Sequence, residues 1–488
     1  MKLLLWLLSL AALSVGARNF EQGISIDGPL YATIARNIAR SGEWFRLDGF
    51  IPDFAPFAEH PHLGFWIQAL IFKILPAADW SARVQGHIFY VASLALVFTM
   101  GRRLYSERAA TFAVILLWSW SAFSNVFSNF YLDPGCLVFG ILFLTNYARA
   151  LGLTYDASSH RFTLSASSRP VTWAALAGLF LGFAFLQKGL TALGFGPVAL
   201  ALLVLTLSLT HQRRQTLALT TVTLGLTALT LTAYAAAIKS SSLPNFLEIY
   251  WSRQVDQRFA KSWDWSLLVS GQFWSSLSKD SLGLVWIVPL ALFGLRKRTH
   301  SIILPLVLFA SFLLMYAPAG RNGSQYSVML LPPLALLLAA GLDAGLMRLR
   351  PRLQITVERS RQVTQALSLT AVLLLQYLPY PTHHPRKAPE VEILLQLSRD
   401  SGLKAVTLVR GDPAPDFLLA ASFAWYADMK VKYLSQTTDW PSFKPASVDT
   451  AYLVLGAKNR SPLPLIPPGL CEIPNPGSSQ LLVACSKI

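Results

Sequence analysis

Long apolar blocks alternate along this chain with short joints that carry its charge, and that alternation leaves few folds open. A hydrocarbon core about 30 Å thick takes roughly 20 residues of helix to cross. Blocks of that order recur at 84–101, 108–126, 134–150, 171–187, 189–210, 216–238, 283–295, 301–317, 327–346 and 364–380. The 283–295 block is short and extends toward Leu277. A further apolar run follows Lys2. It reads as a first span or as a signal peptide, with Ser14-Val15-Gly16 as a passable cleavage site. Of the 488 residues 53% are hydrophobic and only 14% charged, against about 25% charged in soluble domains. The net charge of +16 does not make a nucleic-acid binder, because the basic residues fall in short runs between the blocks. Arg102-Arg103 with Arg108, Arg161 with Arg169, Arg213-Arg214, Arg296-Lys297-Arg298 and the Arg348 to Arg361 cluster take every second joint. That is the positive-inside pattern of cytoplasmic loops. With an uncleaved first segment it predicts about 11 transmembrane helices, an inner N-terminus and an outer C-terminus.

The remaining joints then face outward: 17–82, 127–133, Gln187–Lys188, 239–282 and 318–326. In the long first loop, Leu30, Ile34 and Ile38 mark one helical face over 28–40, with Asp27 as N-cap and Pro29 in the first turn. Residues 63–75 are apolar but short and predict a helix lying in the interface. Beyond about residue 380, strand-like runs at Ala405–Val409, Val431–Leu434 and Thr450–Leu455 alternate with Pro and Asp turns. The expected organisation is an all-α polytopic membrane domain over 1–380 and a small α/β extracytoplasmic domain over 381–488. Cys136 is a packing residue, while Cys471 and Cys485 could close a small disulfide loop or remain two thiols. The chain shows no internal repeat, no Walker-type loop and no Cys/His metal cluster.

An enzyme acting at a membrane surface on a phosphate-linked substrate needs a carboxylate for the acceptor's proton and cations for the departing phosphate. The outward joints supply both. Asp27, Glu59 and Asp133 are the carboxylates. Each has a plainer reading: N-cap for Asp27 and Asp133, solvated loop for Glu59. His60 and His62 flank Pro61, which leaves a divalent metal at Glu59 and His60 open. Lys188 stands alone between two apolar blocks, beside Gly189, either snorkelling or binding an anion. Arg321 and Tyr326 share one outward joint. Arg253 and Arg258 share another with Trp251, Trp263, Trp265 and Trp274, an interfacial belt or a sugar-stacking surface.

The motifs and their order resemble the protein mannosyltransferase and aminoarabinose transferase superfamily, GT-C fold glycosyltransferases that use polyprenyl-phosphate sugars. Asp27-Gly28-Pro29-Leu30-Tyr31 through Asn37, then Ser41-Gly42-Glu43-Trp44, looks like that family's first extracytoplasmic loop. Glu59-His60-Pro61-His62-Leu63 is similar to its Glu-Lys-Pro-Pro-Leu stretch, and Ala82-Arg83 with Gly101-Arg102-Arg103-Leu104-Tyr105 to its next helix. Leu132-Asp133-Pro134, Lys188-Gly189, and Tyr326 with Leu331-Pro332 complete the series over about residues 1–345. The resemblance implies Asp27 as the catalytic carboxylate, with Glu59 organising the site or a metal and Asp133 a second acid. It implies Lys188 and Arg321, with His60 and Arg258, at the lipid phosphate, and Tyr31 and Tyr326 toward acceptor or sugar. The chain departs from the pattern at His60, where a lysine is usual, and at Gln254-Val255-Asp256-Gln257, which replaces an expected His or Glu.

The expected partners are a polyprenyl-phosphate-linked sugar donor, a glycolipid, glycan or protein acceptor, and the bilayer, most simply a bacterial inner membrane. A transporter or flippase would place ionisable residues near the span centres, which are nearly free of them. A non-catalytic assembly or sensor protein would make Asp27 dispensable.

Overall fold

A computed structural model describes residues 23–24, 27–49, 56–156, 161–241, 243–260, 263–295, 299–321, 323–349, 389–401, 403–410, 422, 424–426, 428–435, 450–454, 470–473 and 480–484. In chain order the helices begin with α1 (Gly28–Ser41), α2 (Leu63–Ile74), α3 (Asp79–Ala82), α4 (Val84–Leu104), α5 (Glu107–Ser119), α6 (Ser121–Phe127) and α7 (Asp133–Ala150). A hairpin β1 (Leu153–Asp156) and β2 (Arg161–Leu164) precedes α8 (Pro170–Lys188), α9 (Gly196–Leu209) and α10 (Arg213–Lys239). Then come α11 (Phe246–Trp251), α12 (Gly271–Asp280), α13 (Val288–Gly294), α14 (Thr299–Tyr316), α15 (Ser324–Leu349) and α16 (Pro389–Ser401). Five strands close the chain: β3 (Ala405–Arg410), β4 (Lys430–Ser435), β5 (Thr450–Val454), β6 (Leu470–Ile473) and β7 (Gln480–Ala484). The chain divides into two compact units. One holds Met1–Arg18, Glu59–Gly64 and Val84–Thr382; the other holds Asn19–Ala58, Phe65–Arg83 and His383–Ile488.

The first unit is a helical bundle whose directions can be read from its close contacts. At one end of the α7/α8 pair the Arg149 guanidinium lies 4.9 Å over the Trp173 ring. At the other end Gly135 lies against the Gln187 side chain, so these helices are antiparallel. Thr223 Oγ1 donates to Ala174 O at 3.1 Å and Thr227 Oγ1 to Gly178 O at 3.0 Å, so α8 and α10 run parallel. Gly178 permits that approach: a Cβ there would sit 2.3 Å from Thr223 O. Parallel neighbours must start at the same end, so the chain has to return between them. The helical run Pro170–Leu209, 40 residues and roughly 60 Å if straight, is therefore two helices turned back on each other at Gly189. The sequence marks the same fold point.

The innermost helix is α15. Its buried Asp343 accepts from Arg108 Nε at 2.8 Å and from Ser106 Oγ at 3.0 Å. Arg102, Arg103, Arg108 and Arg149 thus lie toward one end of the bundle, while Asp133, Lys188 and Tyr326 lie toward the other. Two expected single spans are broken. Trp120 leaves the helix at ψ 101° between α5 and α6, which bend by 72°. Leu282 and Gly283 both adopt positive φ (53° and 76°) between α12 and the 283–295 block, bending that pair by 98°. Left-handed backbone cannot continue a right-handed helix. The start of 189–210 is also a 3₁₀ turn over Gly189–Phe195. Among the described residues four helices are long and apolar enough to cross a membrane, or six if each bent pair is one span. The expected spans at the N-terminus and at 364–380 lie outside the described residues.

The second unit contains α1 and the sheet. As expected, Leu30, Ile34 and Ile38 are buried on α1. The helix stops at Gly42, whose φ of 76° closes it with an N–H bond to Ile38 O at 2.9 Å. The five strands order as β4-β3-β5-β7-β6. β3 pairs in parallel with β4 and β5, whereas β7 is antiparallel to β5 and β6. The three sequence-predicted strands are β3, β4 and β5; β6 and β7 were not foreseen. Cys471 on β6 is disulfide-bonded, and Cys485 lies outside the described residues. Buried Arg36 on α1 donates to Ala424 O at 2.8 Å and Trp425 O at 2.9 Å, and pairs with Asp428 at 2.7 Å. Burial lowers its guanidinium pKa to about 10, with Asp428 acting against that and Arg40 adding to it. Asp79 accepts from Gly23 N at 2.8 Å and Trp425 Nε1 at 2.9 Å. These bonds join the long first loop to the C-terminal sheet region as one folded unit.

Candidate active site

The polar end of the bundle is organised by α7, α8 and α15. Pro134 and Gly135 start α7 directly after Leu132, so Asp133 is fixed at its first position. Asp133 is fully buried and Lys188 is 8% exposed. Lys188 Nζ donates to Asp133 Oδ2 at 2.5 Å. Among the described residues Asp133 Oδ1 has no hydrogen-bond partner. Lys188 is the last residue of α8, and the next residue, Gly189, takes a φ of 61°. A Cβ at Gly189 would sit on the Tyr250 hydroxyl, which accepts from Leu190 N at 3.1 Å. Only glycine allows both the turn and that approach.

Tyr326, in the first turn of α15, carries two cations on its ring: Lys188 Nζ at 5.7 Å and Arg321 Cζ at 5.9 Å from the centroid. Arg321 forms no carboxylate pair among the described residues. His60, Lys188, Tyr250, Gln254, Arg321 and Tyr326 share the wall of a cavity of about 50 Å³. That space is too small for a sugar ring, but its lining is cationic and hydrogen-bonding. One carboxylate offsets one lysine, leaving Arg321 to answer an added anion.

Glu59 is 6% exposed. Its Oε1 accepts from Arg253 Nη1 at 3.3 Å and its Oε2 from Gln254 Nε2 at 2.5 Å. Both donors lie on a π-helical turn, Ser252–Ala260. Arg258 is on that same turn, its side chain outside the described residues. His62 Nδ1 and the Tyr234 hydroxyl are 2.6 Å apart. These neighbours do not fit a metal at Glu59 and His60. One carboxylate oxygen faces a guanidinium, the other an amide N–H, and no group of three His, Cys, Asp or Glu gathers among the described residues.

Asp27 and Tyr31 belong to the second unit. Asp27 precedes α1 with helical backbone angles and makes no side-chain capping bond, while its carbonyl accepts from Tyr31 N at 3.0 Å. Its side chain is half-buried and does not serve as the cap that the sequence position suggested. Tyr31 is buried, its ring edge-on to Phe57 (6.3 Å) and Phe65 (5.5 Å). The structure thus gathers His60, Lys188, Arg321 and Tyr326, with Asp133 behind Lys188. Tyr250, Thr191 and Tyr316, which complete this cavity, escaped the sequence reading. No sequence signal links Tyr250 to the Gly189 turn that makes room for it, since the two are 61 positions apart.

A family model described as dolichyl-phosphate-mannose-protein mannosyltransferase matches residues 59–233. No curated protein sequence matches the chain significantly. Among solved structures, ArnT from Cupriavidus metallidurans bound to undecaprenyl phosphate superposes with a TM-score of 0.71 at 15% identity, covering 99% of this chain and 98% of that one. Its apo state gives the same values. The archaeal oligosaccharyltransferase AglB from Archaeoglobus fulgidus, in complex with an inhibitory peptide and a dolichol-phosphate, gives 0.51 at 12% identity. That match covers 88% of this chain and 64% of AglB. At such identities the likeness is one of fold.

Proposed function

We propose that this chain is a polyprenyl-phosphate-sugar glycosyltransferase of the GT-C superfamily that its motifs resemble, a reading supported by the family model over residues 59–233 and by the fold it shares with ArnT. The sugar moves to an acceptor on the extracytoplasmic face: lipid A, another glycan or a protein. The observation that carries this reading is the cation pair Lys188 and Arg321 around Tyr326, beside His60 at a small cavity. The undecaprenyl phosphate on the Cupriavidus protein supports a donor of that class.

In the proposed reaction an acceptor hydroxyl attacks the anomeric carbon from the face opposite the phosphate. The new C–O bond forms as the bond to phosphate oxygen breaks, and the polyprenyl phosphate leaves with the electron pair, inverting the anomeric centre. Asp27 takes the hydroxyl proton. Lys188 and Arg321 hold the phosphate as its charge grows, with His60 and Arg258 as further contacts. A phosphate leaves readily, so positioning and charge stabilisation suffice. Asp133 holds Lys188 in place, and Glu59 holds the π-helical turn through Arg253 and Gln254. Tyr326 orients the two cations and is the sugar contact. Tyr31, packed against Phe57 and Phe65, positions the helix behind Asp27.

In this reading residues 1–380 form the membrane domain with about 11 spans, and 381–488 an extracytoplasmic domain, in a bacterial inner membrane. The test is purified protein incubated with radiolabelled polyprenyl-phosphate sugars and membrane extract. Label transfer is expected, with Asp27→Asn lowering it about 10²–10⁴-fold, the usual worth of a general base. Undiminished transfer by a folded Asp27→Asn protein rejects that role.

A further inference from the structure

At the other end of the first unit from Lys188, a cavity of about 590 Å³ opens between α4, α7, α9 and α14 and the β1–β2 hairpin. This is within the size range of a site for a ligand of moderate mass. Arg102, Arg103 and Arg149 line it. Arg102 and Arg103 are exposed and Arg149 is half-buried, so the cationic part is its solvent side. None of the three forms an ion pair with a carboxylate among the described residues. They act repulsively on one another, since Arg103 experiences the charges of both Arg149 and Arg102. Three like charges at one cavity, with no carboxylate among its described lining residues, is an arrangement that an anion relieves.

The opposite wall is apolar and buried: Leu144 from α7, Val198 and Leu202 from α9, Leu308 from α14. The same two helices, α9 and α14, turn Leu200, Val204, Ile303 and Leu306 outward to the exposed surface. Helices apolar on both faces at this point sit in lipid. The hairpin closes the third side with hydroxyls. Ser165 N donates to Gly152 O at 2.9 Å, and Ser165 and Ser167 line the cavity. A cationic rim, a hydroxyl edge and an apolar wall reaching toward lipid fit an amphiphile with a phosphate head.

We propose that this cavity seats an anionic glycerophospholipid, its phosphate on Arg102, Arg103 and Arg149 and its first acyl methylenes along Leu144, Leu202 and Leu308. Guanidinium forks suit phosphate oxygens, and basic pockets between membrane helices are a known setting for lipid head groups. The site is separate from the transfer chemistry above.

The test is native mass spectrometry of the full-length protein released from detergent, with phosphatidylglycerol, phosphatidylcholine of the same chains, or glycerol phosphate added. One phosphatidylglycerol per chain should survive activation that strips phosphatidylcholine. Retention should fall at least roughly tenfold in Arg103→Gln/Arg149→Gln, because each lost charge-assisted bond is worth a factor of that order. Leu308→Trp, which fills the apolar wall and leaves the charges intact, should lower it too. Arg102→Gln alone, a mild surface change, guards against a double variant that does not fold and should give a smaller drop. Equal retention of both lipids, or unchanged retention in every variant, overturns the proposal. Glycerol phosphate bound as tightly as phosphatidylglycerol also overturns it, because the apolar wall would then contribute nothing.

Discussion

Lys188 and Asp133 make sense only together. A buried ammonium is tolerable because one carboxylate oxygen faces it at 2.5 Å, and removing one partner of such a pair typically costs about 3–5 kcal/mol. Asp133→Asn should therefore lower the thermal midpoint of the detergent-solubilised protein by several degrees and abolish transfer. Asp133→Asn with Lys188→Met should recover most of the midpoint while transfer stays lost. Recovery of transfer in the double variant would reject Lys188 as a phosphate ligand. At this scale the sequence was informative where a residue is chemically out of place: a lysine isolated between apolar blocks, an aspartate before a proline. It was uninformative where partners are distant. Nothing near Glu59 announces that Arg253 and Gln254, 194 and 195 positions later, will occupy its two oxygens.

Helices and strands were legible in proportion to their periodicity. α1 followed from three apolar residues on one face over 28–40, and the parallel strands from short strand-like runs between Pro and Asp turns. The bends at Trp120 and at Leu282-Gly283 were not legible, because it is single-residue backbone angles that set them. β6 was missed because Leu470–Ile473 is short and carries a glutamate. The α8/α10 contact gives a sharp expectation. Gly178→Leu puts a branched side chain where even a Cβ meets Thr223 O at 2.3 Å, so the two helices must separate and lose the Thr223 and Thr227 bonds. A loss of about 2–4 kcal/mol is expected, read as a lower midpoint, whereas Gly225→Leu, with nothing within 4 Å of its Cβ position, should be nearly neutral.

For the whole molecule, the membrane class followed from the apolar blocks, whereas the composition of the second unit did not. A linear reading separates residues 17–82 from the tail, yet hydrogen bonds from Arg36 and Asp79 tie them into one body. Arg36→Met leaves the Ala424 and Trp425 carbonyls without their donor, at about 1–3 kcal/mol for each buried group. Limited proteolysis should then cut near residue 428 in the variant and spare the parent; equal cutting rates would show that Arg36 does not fasten the unit.

That fastening also sets a schedule. Arg36 is translated 389 residues before its acceptor at Trp425. At roughly 5–20 residues per second, the ribosome needs on the order of 20–80 s to supply that partner. Through that interval the first loop has already emerged but cannot settle into its native packing, so the fasteners that bind Asp27's helix to the sheet region are absent while the bundle is being inserted. A prematurely terminated product lacking the residues around position 425 would keep the loop's amino acids yet lose these bonds, which makes completion of synthesis a precondition for assembling this face of the protein.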